Sequence, residues 1–220
     1  MKLRIDLHVH TECSADSIIT LDKLLFHAKR KRLDAVAVTD HDTLEGASRY
    51  IKRTDFLIIP GIEISSLGGH IVALGIDELV PKGLTIEETL DRIHKARGVA
   101  IACHPSALFK GSIGHRTSSR FDAVEVMNAS VIPFGRSVST SRRMALSLGL
   151  PQVGGSDAHY GPEIGCAYTI VEAEPNNREI MEALKSGLCE PAGGSIPLTL
   201  RTKREVALLR KRARSFFKRA

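Results

Sequence analysis

The sequence predicts an α/β protein in which short apolar strands alternate with amphipathic helices. Apolar segments such as residues 33–39 and 99–104 follow segments with helical periodicity, such as residues 20–32 and 85–98. This alternation is typical of right-handed crossover connections and a parallel sheet, either open or closed into a barrel. Nearly every predicted strand is followed by a histidine or a carboxylate, and the active sites of such folds lie at the carboxyl ends of the strands.

Caps and helix breakers set the limits of the individual elements. Thr20 is a candidate N-cap of the first helix, and Thr85 with Glu88 forms a capping box. Gly149 ends a later helix. The predicted strands are residues 3–9, 33–39, 55–60, 70–76, 99–104, 122–128, 151–157 and 167–171. The predicted helices are residues 20–32, 44–53, 85–98, 137–149 and 176–187.

The composition is typical of a globular protein in a reducing compartment. Hydrophobic residues make up 43% of the chain and charged residues 25%. The sequence contains no long apolar run and no secretion signal at its start, so we expect no membrane association. The four cysteines are scattered without a C-x-x-C pair, which argues against a disulfide framework and against a thiolate zinc site. We therefore expect a cytoplasmic protein.

Positive charge is concentrated near the C-terminus. Residues 201–220 contain nine Lys or Arg residues and one acid, Glu205, which gives this segment a charge of +8. Because the whole chain carries +6, residues 1–200 carry −2. We therefore divide the chain into a domain at 1–200 and a basic, helical tail at 201–220. The tail is either a terminal helix packed on the domain or a segment that binds RNA or DNA phosphates.

Two histidines, His8 and His10, lie one residue apart at the end of the first predicted strand. Alternate residues of a strand point to the same face, so both imidazoles can hold one cation, although an isolated pair is more often two exposed strand histidines. The other strand ends favour a metal site because they bring further imidazoles and carboxylates to the same edge. These residues are Asp40, His41, Glu63, His70, His104, Asp157 and His159.

This mixture of ligands indicates a catalytic metal centre. Imidazole and carboxylate ligands suit zinc, manganese or iron, and the lack of cysteine ligands favours a catalytic site over a structural one. The candidates are too numerous for one ion, and a bridging carboxylate such as Glu63 or Asp157 would join several. Clustered ions serve hydrolysis by activating water, and they favour phosphate esters because they neutralise several phosphoryl oxygens together.

Four motifs occur in an order that resembles the PHP (polymerase and histidinol phosphatase) family. They are DLHVHT at 6–11, AVTDHD at 37–42, GIEIS at 61–65 followed by His70, and GGSDAH at 154–159, with CHP at 103–105 between them. The resemblance runs from about residue 3 to about residue 171. It implies a distorted (β/α)7 barrel with a trinuclear metal site at the C-terminal ends of the strands.

The resemblance also implies which residues bind each ion. His8, His10, Glu63 and Asp157 would hold the first ion, Glu63 would bridge to a second ion held by His70 and His104, and Asp16, His41 and His159 would hold the third. Asp16 stands where many relatives have a histidine, so it bears most on how firmly the third ion is held. We expect two or three divalent ions, of zinc, manganese or iron.

The same resemblance implies a free-standing phosphoesterase. The stretch at 61–77 is most similar to small enzymes that act on nucleotides or on RNA 5′ ends, and no polymerase segment follows it. We expect a phosphatase or exonuclease that uses metal-activated water on a phosphorylated small molecule, a nucleotide or a nucleic-acid 5′ end. The alternatives are a phosphatase of the histidinol-phosphate type, an amidohydrolase-type C–N hydrolase and a non-catalytic PHP scaffold.

Candidate substrate-binding residues lie in two segments that follow strands. His115 and Arg116 belong to the long loop after His104, and Asn128 and Arg136 follow a later strand. Loops at this edge of a barrel bind substrate, and a cation there would hold a phosphate. Ordinary surface charge is the alternative interpretation.

Three residues are candidates for catalysis beyond metal binding. His159 is a candidate for proton transfer, a role that His41 could also take, and Arg116 for contact with the reacting phosphate. Asp40 would orient the neighbouring His41, or else it is the N-cap of the following helix.

Overall fold

A computed structural model of the chain describes residues 1–108 and 111–217, with side chains in the last helix described through Ala213. The strands are β1 (Lys2–Val9), β2 (Ala35–Val38), β3 (Leu57–Ser66), β4 (Gly69–Leu74), β5 (Val99–Ala102), β6 (Ala123–Asn128), β7 (Gln152–Gly155), β8 (Ala167–Glu172) and β9 (Cys189–Gly193). The helices are α1 (Leu21–Arg30), α2 (Glu45–Ile51), α3 (Ile86–Lys95), α4 (Phe134–Leu148), α5 (Asn177–Lys185) and α6 (Leu198–Phe217).

All nine strands form one sheet in the order β7-β6-β5-β4-β3-β2-β1-β8-β9. The residues that follow β7 return to β1, where the N–H of Asp157 donates to the carbonyl of His8 at 2.8 Å. Val9 pairs with Ala158 in an isolated parallel bridge. The sheet therefore curls into a nearly closed barrel, which confirms the predicted distorted barrel.

The sheet is mixed rather than parallel throughout. β1, β2 and β3 run parallel, as do β5, β6 and β7, but β4 is antiparallel to both of its neighbours. Only Leu67 and Gly68 separate β3 from β4, and a parallel crossover needs a much longer connection. Gly69 has a φ of 133°, which suits glycine at this tight turn.

The interior of the barrel is apolar below the strand ends. One buried cluster takes a residue from each of β1 to β8, including Ile5, Ile59, Ile101 and Val153. Residues of α5, among them Ile180, complete this cluster. Because every one of these strands contributes, the cluster fills the barrel. The polar residues of the same strands lie above it, at the carboxyl-end rim.

Local signals placed several helices correctly. Thr20 accepts a hydrogen bond from the Lys23 N–H at the start of α1, and the capping box of Thr85 and Glu88 is present at α3. Gly149 follows α4 in the left-handed conformation. In contrast, strand β9 was not predicted. Among the described residues, no helix is long and apolar enough to cross a membrane.

Helix α6 packs against the barrel. It begins at Leu198, and the guanidinium of Arg201 donates to the carbonyls of Ala129 at 2.9 Å and Ser130 at 2.8 Å. Leu208 is buried further along the helix. The described part of the basic tail is thus a packed helix, and residues 218–220 lie outside the described part of the chain.

Candidate metal centre

Glu63 lies at the middle of a ring of imidazoles at the carboxyl-end rim of the barrel. It is buried on β3, and its N–H donates to the carbonyl of Asp40 at 3.2 Å, which fixes the strand beside the end of β2. Five imidazole nitrogens approach its two carboxylate oxygens: His70 Nδ1 at 2.9 Å, His104 Nε2 at 3.0 Å, His10 Nε2 at 3.1 Å, His41 Nδ1 at 3.2 Å and His8 Nε2 at 3.4 Å.

The electrostatics of this ring keep Glu63 ionised. Burial alone would raise its pKa, but the charge of His8 and hydrogen bonds from His10 and its neighbours outweigh burial and hold the pKa well below the usual range. Burial likewise opposes protonation of His8, yet the charges of Glu125 and Glu63 raise the pKa of this imidazole. A carboxylate that stays charged in a dry interior can join two cations.

A second group of ligand atoms lies to one side of Glu63. His10, Asp16, His41 and His159 each offer an atom within 4.8 Å of the others. Asp16 Oδ2 lies 3.2 Å from His159 Nε2 and 3.5 Å from His41 Nε2. Burial would raise the pKa of Asp16, but the hydrogen bonds with His159 and His41 lower it. We call these four residues the Asp16 corner.

The other ligand groups share Glu63. They comprise His8 with His10 and Glu63, His41 with Glu63 and His70, and Glu63 with Cys103 and His104. Asp157 adjoins the first group, since its Oδ1 lies 3.5 Å from His10 Nε2 and 3.9 Å from His8 Nε2. The structure thus brings together all nine residues named as metal ligands, although His10 and His41 each border two groups.

Cys103 adds a neighbour that the sequence argument missed. Its Sγ lies 3.5 Å from Glu63 Oε1 and 3.1 Å from the carbonyl oxygen of His70. Burial, with the nearby charge of Glu63, raises the pKa of this thiol well above its usual value. A protonated thiol is a weak ligand, which agrees with a centre built from nitrogen and oxygen.

The donor set fits divalent cations. Imidazole nitrogens and carboxylate oxygens are the ligands of zinc, manganese and iron. Two buried atoms at the rim, Asp16 Oδ1 and His104 Nδ1, have no hydrogen-bond partner among the described residues. Buried polar atoms are normally satisfied, and a bound ion would satisfy Asp16 Oδ1.

Two of the candidate ligands have strained backbone conformations. His104 has a φ of 32° and Asp157 a φ of 52°, both in the left-handed region that non-glycine residues rarely adopt. Such conformations persist where surrounding contacts hold them, and they cluster at functional sites. Here they turn the chain directly after β5 and β7 so that both side chains face the rim.

Glu125 contacts two residues of the ring, His8 and His104, and the sequence analysis did not predict this role. Its Oε1 lies 3.1 Å from His8 Nδ1, and its Oε2 accepts the N–H of His104 at 2.8 Å. Asn128, named as a substrate residue, lies here too and donates to Glu125 Oε2 at 3.0 Å and to Asp157 Oδ2 at 3.3 Å. The available signal was a charged residue in the middle of the apolar segment DAVEVMN.

Asp40 is buried, but its carboxylate forms hydrogen bonds with the turn after β1 and not with the imidazole of His41. It accepts the N–H of Thr11 at 2.6 Å and the hydroxyl of Ser14 at 2.9 Å. The Ser14 hydroxyl lies 3.4 Å from His10 Nδ1 and accepts the N–H of His41 at 3.0 Å. Asp40 therefore braces the turn after β1, and α2 begins after Leu44 instead.

The remaining candidate substrate residues are divided between two places. His115 and Arg136 line a cavity of about 390 Å³ next to the His104 loop, together with Ser106, Ser112, Ser137 and Thr140. Arg116 lies elsewhere, since its Nη1 donates to the carbonyl of Gly68 in the β3–β4 turn at 2.9 Å. A smaller cavity of about 260 Å³ is lined by Asp16, Ser130, His159, Arg204, Glu205 and Leu208.

Comparison with known proteins connects this geometry to a family. The model of the PHP domain matches residues 6–80, and the model of the PHP-associated region matches residues 135–189. An uncharacterised protein of Methanocaldococcus jannaschii is 35% identical over 141 residues, which cover 58% of this chain and 82% of that protein. The 5′-3′ exoribonuclease Rnm of Salmonella typhimurium is 37% identical over 108 residues, which cover 44% of this chain but only 36% of the exoribonuclease.

A solved structure shows the same fold. A two-domain protein from Bacteroides vulgatus, containing a predicted PHP-like metal-dependent phosphoesterase, superimposes with a TM-score of 0.75 at 18% identity. The match covers 88% of this chain and 65% of that protein. Together the family models match residues 6–80 and 135–189, and the ring of candidate ligands lies at the rim where the resemblance places it. The chain therefore belongs to the PHP family of metal-dependent phosphoesterases, hydrolases that act on phosphate esters.

Proposed function

We propose that the protein hydrolyses the phosphate ester of a nucleotide or of a nucleic-acid 5′ end. The observation that carries this proposal is the ring of five imidazoles around buried Glu63, joined to the Asp16 corner. The similarity to a 5′-3′ exoribonuclease over 108 residues supports the substrate class.

The candidate ligands would divide among two or three zinc, manganese or iron ions. Glu63 would be shared between two of them, because His8 and His10 approach its Oε2, with Asp157 beside them, whereas His70 and His104 approach its Oε1. The Asp16 corner would hold the third ion. Ions at these positions would lower the pKa of a bound water and neutralise charge on the phosphoryl oxygens. The protein's own contribution is to fix these side chains at the rim, where Glu63 and His8 are buried and Asp16 and His41 are partly open to solvent.

The residues around the centre orient the substrate. His159 lines the cavity of about 260 Å³ and belongs to the Asp16 corner. Where only the two ions around Glu63 are bound, His159 is the residue that we propose for proton transfer to the leaving oxygen. His115 and Arg136 line the cavity of about 390 Å³, which also offers the hydroxyls of Ser106 and Thr140. A guanidinium beside several hydroxyls suits a second phosphate group of the substrate.

The outer face of α6 is the proposed contact with a longer nucleic acid. Lys203 and Arg210 are exposed there, whereas Arg201 and Lys211 are used in contacts with the barrel. Lysine and arginine neutralise phosphates without reading sequence, so this contact would help oligonucleotides but not mononucleotides.

A panel of substrates tests the proposal. The full chain is stripped of metal, reloaded with manganese or zinc, and assayed on a mononucleotide, a nucleoside 3′,5′-bisphosphate and a 5′-phosphorylated oligoribonucleotide. We expect hydrolysis of at least one of them. We expect Arg136→Ala to raise KM for a substrate with a second phosphate, with Arg142→Ala as the matched control on the same helix. Failure of the metal-loaded protein to release phosphate or nucleotide from any of them would overturn the proposal.

A further inference from the structure

Helix α6 reaches the metal centre through a buried carboxylate. Glu163 is 0% exposed, and its Oε2 accepts the N–H groups of His159 and Tyr160, each at 3.1 Å. Its Oε1 lies 3.3 Å from Nη1 of Arg204, whose side chain is 17% exposed. Glu163 Oε1 has no hydrogen-bond partner among the described residues, so the cation of Arg204 is the group that offsets part of the cost of its burial.

The same helix also contacts Ser17, the residue that follows Asp16. Lys211 Nζ donates to the carbonyl of Ser17 at 2.7 Å. The hydroxyl of Ser17 in turn donates to the carbonyls of His10 at 2.8 Å and His159 at 3.3 Å. Ser17 directly follows Asp16, so this contact holds the backbone from which the Asp16 carboxylate projects.

These contacts lie along one face of α6. Arg201, Arg204, Leu208 and Lys211 are spaced by three, four and three residues, which places them on one side of a helix. Arg204 and Lys211 are about two turns apart, so the helix contacts Glu163 and Ser17, which adjoin the Asp16 corner, at two separate points. Arg201, Arg204 and Lys211, whose charges contributed to the prediction of a nucleic-acid-binding tail, therefore contact the barrel instead.

We propose that α6 is a positioning element for the third ion: Arg204, acting through Glu163 on His159, and Lys211, acting through Ser17 on Asp16, hold the Asp16 corner in its ligating geometry. This inference rests on the metal centre of the proposed function but not on the substrate. Arg204 is a positioning residue, because it acts on the corner through Glu163. Loss of Arg204 should lower the affinity for the third ion selectively and leave the binding of the ions around Glu63 unchanged.

Metal affinity measures this role without any assay of activity. Metal-free protein is titrated with Mn²⁺, free Mn²⁺ is measured by electron paramagnetic resonance, and bound metal is counted by elemental analysis. We expect Arg204→Met to weaken one class of site about 10- to 100-fold, as is usual when support behind a ligand is lost. Arg204→Lys should keep much of the affinity, and Arg142→Met, an exposed charge on α4, should have no effect.

Three further variants identify the ion whose binding is affected and guard against misfolding. Asp16→Ala should weaken the same class of site, and the double variant with Arg204→Met should show little additional loss. Glu163→Gln combined with Arg204→Met removes the buried charge while an amide oxygen still accepts from His159, so it should recover affinity relative to Arg204→Met alone. Unchanged Mn²⁺ binding in a folded Arg204→Met protein, or equal weakening of every site, would overturn the proposal. A protein that binds Mn²⁺ as expected but hydrolyses none of the phosphate esters would contradict the proposed function alone.

Discussion

Gly155 and His8 approach each other so closely that no side chain fits between them. A Cβ atom on Gly155 would lie 2.6 Å from the Cβ of His8 and 2.8 Å from Glu125 Oε1. Real Cβ atoms do not make such contacts, so the glycine sets how near β7 can lie to β1. The second glycine of GGSDAH thus serves the ligand on the opposite strand.

Substitution of this glycine should damage metal binding. We expect Gly155→Ala to displace His8 or Glu125 and to weaken Mn²⁺ binding about 10- to 100-fold, because both the ligand and its support would move. Gly135→Ala is the control, since a Cβ there meets no atom within 4 Å. Isothermal titration of the metal-free variants measures the effect, and wild-type affinity in Gly155→Ala would contradict the steric argument.

Neutralising Glu125 should leave the imidazole of His8 in place but orient it less firmly for metal binding. Its carboxylate lies 3.1 Å from His8 Nδ1, the arrangement in which a carboxylate orients a metal-bound imidazole through its second nitrogen. We expect Glu125→Gln to retain the fold and to lower metal affinity about 10- to 100-fold. Glu190→Gln, an exposed position on β9, controls for loss of charge. Metal counts on the dialysed proteins provide the measurement.

Removal of the bridging charge should affect several ions at once. We expect Glu63→Gln to lose more than one ion and to reduce phosphoesterase activity by more than about 100-fold, beyond the effect of losing a supporting residue. The comparison that matters is with Asp16→Ala, which should lose one ion only. If the two variants retained the same metal content, Glu63 would not be the shared ligand.

Asp6 should make the metal-free protein more stable at lower pH. Burial raises the pKa of Asp6 to about 6 from 3.8, even though it accepts the N–H groups of Ser156 and Gly165. The folded state therefore binds a proton more tightly than the unfolded state, so this contribution is complete below pH 3.8 and is lost as the pH rises through 6. It amounts to roughly 3 kcal/mol at most.

Denaturant unfolding of chelator-treated protein between pH 5 and pH 8 would detect this contribution. Asp6→Asn should show a shallower dependence of the unfolding free energy on pH than the wild type, because it has no proton to bind at this position. Equal slopes for the two proteins would show that Asp6 titrates alike in both states.

Local sequence patterns indicated the candidate metal ligands, whereas the residues that support these ligands depend on contacts between distant parts of the chain. His8 and His10 were recognisable because they share a strand face, and Asp157 and His159 because they follow a short apolar segment. The partners of Glu125 come from strands far apart in the chain, and its own neighbours are apolar.

Two other features escaped the sequence argument for similar reasons. Strand β9 (Cys189–Gly193) contains Glu190, Pro191 and Gly193, which are poor strand formers, and only pairing with β8 makes it a strand. The charge of α6 was evident, but its partner was not, because nothing in the spacing of Arg204 indicates Glu163.

The closure of β7 against β1 also determines when all the candidate ligands can come together during folding. His8 and Asp157 are joined by a backbone hydrogen bond across 149 residues of chain, so a nascent polypeptide exposes its first ligands long before the last are made. Until that closure, His8 and His10 are two histidines on an incomplete sheet. The complete set of candidate ligands comes together only when that closure brings Asp157 and His159 beside His8 and His10, so ions bound by the full set would stabilise the closed barrel.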